Sequence, residues 1–293
     1  MKIKPKILAL IASAALAVII PLIVFHSRSP VLIVTEESFI GLYGKDRLKK
    51  EAFRSSFALF RPIKTVTVVN DAGEDVVPFA VSVVSSKPFC VLFPLRFARS
   101  AKLYHEGNPQ IRVVLLEGMF TESENPSASE VGGDISGYFV YKTDISADFY
   151  RAGRTAVAFD KGETGRFVVF LQPSFQIPAR EAFQRALNDL ENQRETLFFT
   201  SFSQYSDISD VSCVVLAGVG AEYLEKKTGV PVIFFTWLDP VFIPSDVVFS
   251  VNDSPWAQAV QAVKLVKSGK TTGLIRSNFQ AIDRKKINRG FLP

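Results

Sequence analysis

The chain has 293 residues, 47% hydrophobic and 22% charged, which is long enough for two lobes and too apolar for a disordered protein. Its net charge of +5 sits at the ends, on Lys2, Lys4, Lys6 and Arg28 and on the tail residues Arg276, Arg284, Lys285, Lys286 and Arg289, so the body between is net acidic. A nucleic-acid binder needs a basic stripe on its folded domain, and this distribution argues against one.

The first predicted element is Ile7–Phe25, 19 residues without a charge and about the length a helix needs to cross roughly 30 Å of hydrocarbon. Lysines precede it, which favours a cytoplasmic N-terminus and an exported body. A cleaved signal peptide has a shorter apolar core with a small-x-small site behind it. Here ASAALA lies mid-span with VIIPLIVF still to come, which favours an uncleaved anchor over a cleaved signal. No cysteine lies near the span, so a lipoprotein anchor is excluded.

After the polar linker HSRSP, VLIVT reads as a buried strand, and Lys45–Phe60 as a helix with Leu48, Ala52, Phe53 and Phe57 inward. TVTVVN is a second strand, Asp75–Ser86 a helical piece, Phe89–Phe93 a strand, Arg96–Glu106 a helix and Ile111–Glu117 a strand. Such βα units imply a parallel sheet covered on both faces. The stretch TESENPSASEVGGDISG reads as a surface loop or flap, and GYFVYKTD as a strand leading across to a second lobe. There the cadence resumes with a helix at Ala147–Phe159 and the strand RFVVFLQPSF. The helix QIPAREAFQRALNDL follows, its stripe made by Ala179, Ala182, Phe183, Ala186, Leu187 and Leu190. ETLFFTSF, VSCVVLAG with the helix AEYLEKKTG, PVIFFTWLD, VVFSVND, the helix Pro255–Lys267 and a last strand at Thr272–Arg276 close the series.

Cys90 and Cys213 each sit inside a strand-like run and read as buried thiols in preference to a disulfide, which would lock two lobes together. His26 and His105 have no partners at metal-ligand spacing, so no metal site is expected. Neither a nucleophile elbow nor a P-loop occurs, and GVGAE at Gly218–Glu222 lacks the third glycine of a dinucleotide fingerprint, so no cofactor and no enzyme activity are expected.

The order of these pieces over residues 31–278 resembles the type I periplasmic binding protein superfamily, which holds ribose-binding protein, the ligand cores of lac-type repressors and the basic membrane protein nucleoside receptors. VLIVTEESFIGLYGKDRLKKEA looks like the family's opening strand, aromatic loop and helix. TDISADFYRAGRTAVAF is similar to its Asp and Gly-containing helix after the crossover, and FVVFLQPSFQIPAREAFQRAL to its strand, loop and R-x-x-[GA]-F helix start, with Ala182 where Gly is usual. PVIFFTWLDP and VVFSVNDSPWAQAVQAVKLVKSGK resemble its strand ending in Asp and its late strand, turn and helix.

The resemblance implies an α/β fold with two doubly wound parallel-sheet lobes joined by a three-crossover hinge, behind an N-terminal transmembrane helix. The expected division is an anchor and linker at 1–30, a first lobe of 31–141 plus part of 240–270, and a second of 142–239 plus part of 271–293. Hinges are expected near Tyr141–Asp144, Leu238–Phe242 and Thr271–Gly273. Ligands of open α/β sheets bind beyond the carboxyl ends of the strands. The candidate ligand-binding residues are Glu36, Phe39, Tyr43, Phe93, Glu117, Ser174, Arg180, Trp237, Asp239 and Asn252, with Asp253 beside the last. Phe39 would stack on a ring, Arg180 donate to hydroxyls or carboxylates, and Asp239 accept from hydroxyls. Departures from the family pattern are Glu36 and Glu37 in the first loop, suited also to a cationic ligand, and Pro94-Leu95-Arg96 where a small polar residue is usual. The implied function is an extracytoplasmic, membrane-tethered or secreted solute-binding protein for a small polar ligand, sugar or nucleoside, partnered by an ABC permease or a membrane sensor. The alternative is an anchored scaffold that kept the fold and lost the ligand.

Overall fold

The computed structural model describes the backbone of residues 21–70, 72–73, 75–117, 137–158, 165–173, 176–206, 208–226, 228–235, 247–252 and 254–281. The expected membrane span, save residues 21–25, and the polar stretch after Glu117, save Gly137, lie outside these residues. Among the described residues no helix is long and apolar enough to cross a membrane.

Runs of Val, Ile, Leu and Phe become strands buried on both faces, as parallel sheets require. The first sheet holds β1 (Val31–Glu36), β2 (Ile63–Val68), β3 (Cys90–Pro94), β4 (Arg112–Glu117), β5 (Tyr138–Thr143) and β11 (Thr272–Ile275). Its order is β11-β5-β4-β3-β1-β2, with every pairing parallel. The second holds β6 (Arg166–Leu171), β7 (Thr196–Phe199), β8 (Val211–Ala217), β9 (Val232–Phe235), β10 (Val247–Asn252) and β12 (Asn278–Ala281), in the order β12-β10-β9-β8-β6-β7. Only the β10–β12 pairing is antiparallel among the described pairs of this sheet. Both sheets therefore carry the same doubly wound order, reversing direction between β1 and β3 in one and between β6 and β8 in the other.

The helices are α1 (Glu37–Tyr43), α2 (Lys45–Leu59), α3 (Val76–Val84), α4 (Ala98–Gly107), α5 (Ile145–Ala158), α6 (Gln176–Asp189) and α7 (Pro255–Lys267). One core packs α3 and α4 on the first sheet; another packs α2 and α7 on its opposite face around Trp256, which is wholly buried. In the second lobe α5 and α6 cover one face, and short 3-10 turns at 202–204 and 221–226 cover the other. Gly153 lets α5 approach α6 closely, because a Cβ there would lie 2.9 Å from Ala186 Cβ and 3.0 Å from the Phe183 carbonyl oxygen.

The chain crosses between lobes three times: from β5 into α5, from β10 into α7, and from β11 into β12. The first crossing lies where the sequence places it. The second follows Asn252, since β9 and β10 share a sheet, whereas the expected Leu238–Phe242 lies outside the described residues; the third falls between Ile275 and Asn278, just past Thr271–Gly273.

Three local expectations differ from the structure. Phe53 and Phe57 are not inward: they are 73% and 77% exposed, while Leu48, Ala52, Ser55 and Leu59 form the stripe that faces the sheet. Two serines set that phase. Ser55 Oγ donates to the Trp256 carbonyl at 2.8 Å, and Ser56 Oγ accepts from the Ile63 N–H at 2.9 Å, so both hydroxyls are buried with partners. Within AEYLEKKTG, Ala221–Lys226 form a 3-10 turn instead of an α-helix, and the chain adds the edge strand β12 after the expected last one.

Candidate functional site

At the first switch point, β1 ends in Glu36 and β3 runs into Pro94, Leu95 and Arg96. Burying a carboxylate is costly without a partner. Glu36 is only 6% exposed and is ion-paired with Arg96, whose side chain is half exposed. The Ser38 hydroxyl donates to Glu36 Oε2 at 3.4 Å, and the Ser38 N–H donates to Asn70 Oδ1 at 3.1 Å. A fixed charge pair with its cation open to solvent thus marks the carboxyl end of the first sheet.

At the second switch point, Gln172 follows β6 and the turn Gly218–Gly220 follows β8. Gly220 has φ +83, and a Cβ on it would come within 2.3 Å of the Phe170 ring, so only glycine lets this turn lie flat on the strand. Phe170, Phe199, Phe202, Tyr205 and Tyr223 form a continuous aromatic group on this side, with the Lys226 ammonium 4.9 Å from the centre of the Tyr205 ring. Arg180, about one turn into α6, is exposed with its guanidinium 4.9 Å from the Phe198 ring.

Where the lobes meet, a hollow of about 640 Å³ is lined by side chains of both, including Glu51 and Arg54 of α2, Arg151 of α5, Asn252 of β10 and Arg276 after β11. Asn252, 2% exposed, donates to Glu51 Oε1 and accepts from the Ser254 N–H at 3.0 Å, while Ser254 Oγ donates to Glu51 Oε2 at 2.9 Å. Beside the hollow, Asp148 is fully buried and accepts from the Ser277 N–H at 3.1 Å and from its hydroxyl. Desolvation outweighs those bonds and the nearby Arg151, and raises the carboxyl to about 7. Arg151 donates to the Ser277 carbonyl at 3.0 Å and lies 3.9 Å from the Phe279 ring. Three arginines against one glutamate make the hollow net cationic, a lining that offers donors to hydroxyls, carboxylates or phosphates.

Of the ten residues expected from sequence, the structure sets Glu36 at the first switch point, Arg180 on the start of α6 and Asn252 in the hollow. Phe93 lies wholly in the core, tilted against Tyr104 at 6.0 Å, and lines no hollow described here. Phe39 and Tyr43 lie on α1, and Glu117 ends β4; their side chains, and all of Ser174, Trp237, Asp239 and Asp253, are outside the described residues. Sequence reasoning missed Glu51, Arg54, Arg151 and Arg276. A signal existed for Glu51, since charged residues on the same helical face as Leu48 and Ser55 must meet something. The arginines carried none, because what they meet is distant in sequence: Arg151 donates to the Ser277 carbonyl 126 positions away, and Arg276 lies 4.0 Å from Asp144. Neither cysteine is in a disulfide, and both are buried, in different sheets.

Solved structures share this fold. A transcriptional activator of the comK gene from Bacillus halodurans superposes with a TM-score of 0.52 at 15% identity, covering 90% of this chain and 95% of that one. An ABC transporter solute-binding protein from Conexibacter woesei superposes with a TM-score of 0.58 at 10% identity, covering 90% and 93%. No family model and no curated protein matches the sequence. The likeness is therefore one of fold: the chain has the type I periplasmic binding protein fold, in a strongly divergent form.

Proposed function

We propose that this chain is an extracytoplasmic solute-binding protein, tethered by its N-terminal segment, that closes two lobes on a small polar ligand for ABC-type uptake or for sensing. The observation that carries the reading is the repeated strand order, which gives each lobe its own switch point, together with three crossings that can act as a hinge. The net cationic hollow supports a ligand rich in oxygen acceptors, a sugar or a nucleoside before a polyamine. Glu36 with Arg96, Arg180 and Asn252 would supply polar contacts, and Phe39, Tyr43, Ser174, Trp237 and Asp239 are the candidates for stacking and for hydroxyl recognition.

One observation favours the anchored scaffold instead. The polar groups a ligand would use are already engaged within the chain, Glu36 by Arg96 and Asn252 by Glu51 and Ser254. Thermal unfolding against a panel of sugars, nucleosides, amino acids and polyamines, with native mass spectrometry of the purified protein, separates the two. A receptor is stabilised by one class at millimolar concentration. A folded protein shifted by none and carrying no bound ligand is the scaffold.

A further inference from the structure

We propose that the base of the first lobe, the pole opposite the carboxyl ends of its strands, seats on the anionic surface of a lipid bilayer. The inference rests on the reading of Ile7–Phe25 as a membrane segment and adds to it an orientation of the folded body. The register aligns Val31, Ile63, Cys90 and Arg112 at the amino ends of β1 to β4, so these residues mark one pole. Four cations gather there. The guanidinium of Arg61 lies 4.2 Å from the centre of the Phe89 ring, that of Arg112 5.1 Å and the ammonium of Lys267 5.8 Å, while Arg28 lies 4.9 Å from the Phe60 ring. Among the described residues no ion pair joins any of the four to a carboxylate. Like charges so close repel: burial is the main cause that lowers the basicity of Arg61, and the charges of Arg28 and Arg112 add to it. In a body that is net acidic, this concentration asks for an anionic partner outside the fold.

Apolar surface lies against the same pole. Phe53 and Phe57 project from α2 at 73% and 77% exposure, and Phe60 is exposed at its end. The end of the uncharged segment meets them: Leu22 and Ile23 are exposed on the helical residues 21–27, and the Phe25 ring packs edge-on to Phe60 at 5.9 Å. A chain leaving hydrocarbon at Phe25 thus brings exposed phenylalanines, and cations with no carboxylate partner among the described residues, to the level of the headgroups. Aromatic rings and snorkelling Arg and Lys side chains are favoured there, and two signals together hold a surface that one alone does not. The first sheet then stands on the membrane, with the switch points at its far side.

The test uses the full chain in nanodiscs, with single bimane labels at Phe57→Cys and Lys267→Cys on the base and at Ile177→Cys on the second lobe. The native thiols are buried and do not compete for label. With about one third phosphatidylglycerol and lipids brominated near the headgroup, labels at 57 and 267 should be quenched and that at 177 should not. In neutral phosphatidylcholine, quenching at 267 should fall, and each of Arg28→Glu, Arg112→Glu and Lys267→Glu in the Phe57→Cys background should weaken surface association about fivefold or more. A chain that sits in the disc while labels 57 and 267 stay unquenched overturns the proposal; a base covered by the acidic stretch 121–137 would give that result. An unquenched label at 57, together with a disulfide between two unlabelled Phe57→Cys chains when copper phenanthroline and air are supplied as oxidant, overturns it in favour of a second copy. A chain that fails to enter the disc at all overturns the membrane reading of the N-terminal segment, and the proposal with it.

Discussion

Replacing Asp148 by Asn should change the pH dependence of stability in a direction opposite to that of most carboxylates. The group is wholly buried, and removal from water is the largest influence on it; the two Ser277 bonds and the Arg151 charge pull the other way without winning. Its value in the folded protein is thus about 7 against an ordinary 3.8. Below about pH 3 the carboxyl is neutral in both states and costs nothing. As pH rises toward 7 the unfolded chain gives up its proton first, so the folded state loses ground, and above 7 the penalty is complete. For a difference of that size the full penalty is about 4 kcal/mol, of which about 2–3 kcal/mol falls between pH 5 and pH 8. Asn keeps an oxygen for the Ser277 N–H and carries no charge. Chemical unfolding of both proteins at pH 5 and pH 8 should therefore show Asp148→Asn gaining on wild type by about 2 kcal/mol as pH rises. Other groups titrate alike in the two proteins and cancel in the comparison. A difference between wild type and variant that stays constant with pH, or that favours wild type at pH 8, would mean that the carboxylate is ionised and useful at the hinge, and the reasoning fails.

Gly153→Ala should destabilise the second lobe by about 1–3 kcal/mol in thermal melts, because the new methyl meets Ala186 at 2.9 Å with backbone on its other side. Trp256→Ala should cost about 3–5 kcal/mol, emptying the core between α2, α7 and the first sheet and losing the indole N–H bond to Thr65 Oγ1 at 3.3 Å. Cys90, its thiol pushed up to about 12 by burial, should resist iodoacetamide at pH 8 in the folded protein and react once urea unfolds it; fast labelling of the native state would contradict its placement. Phe57→Ser should leave unfolding within about 0.5 kcal/mol of wild type, since the ring is exposed in the folded chain.

The alternation of apolar runs and striped helices was enough to give both lobes, because strands buried on two faces must be apolar throughout and each helix needs only one covered face. The phase of α2 was not legible. A hydropathy stripe ranks Phe53 and Phe57 above Ser55 and Ser56, but the serines find buried acceptors and donors on Trp256 and Ile63, residues 201 and 7 positions away. The hydrogen bond to Trp256 is long-range and leaves no local trace. The same holds for the hollow. Asn252 could be read from the end of a strand, whereas Glu51, Arg151 and Arg276 belong to it only because three crossings fold together. Strand β12 escaped because NFQA is short and polar, as an antiparallel edge can be.

Those crossings are not three independent hinges. Gln258, at the start of α7, donates to Thr143 at the end of β5 at 3.0 Å, joining the second crossing to the first. The third is held to the first by Asp144 N–H donating to the Ile275 carbonyl at 2.9 Å and by the bonds from Ser277 to Asp148. It is also held to the second, since the Arg276 N–H donates to Gln261 Oε1 at 3.2 Å. A lobe rotation that turned one crossing alone would strand a buried Thr143, Gln258 or Asp148 without its partner, at a cost of about 1–3 kcal/mol for each. Motion about this axis must therefore carry all three together. The contacts free to change are those at the margin of the hollow, where Glu51 on the first lobe meets Asn252 at the end of a second-lobe strand and Ser254 in the crossing itself. On the proposed receptor reading, a ligand entering between the lobes would compete with Asn252 and Ser254 for that glutamate, so the exchange of Glu51 between those two residues and ligand is the step through which binding and closure would be coupled.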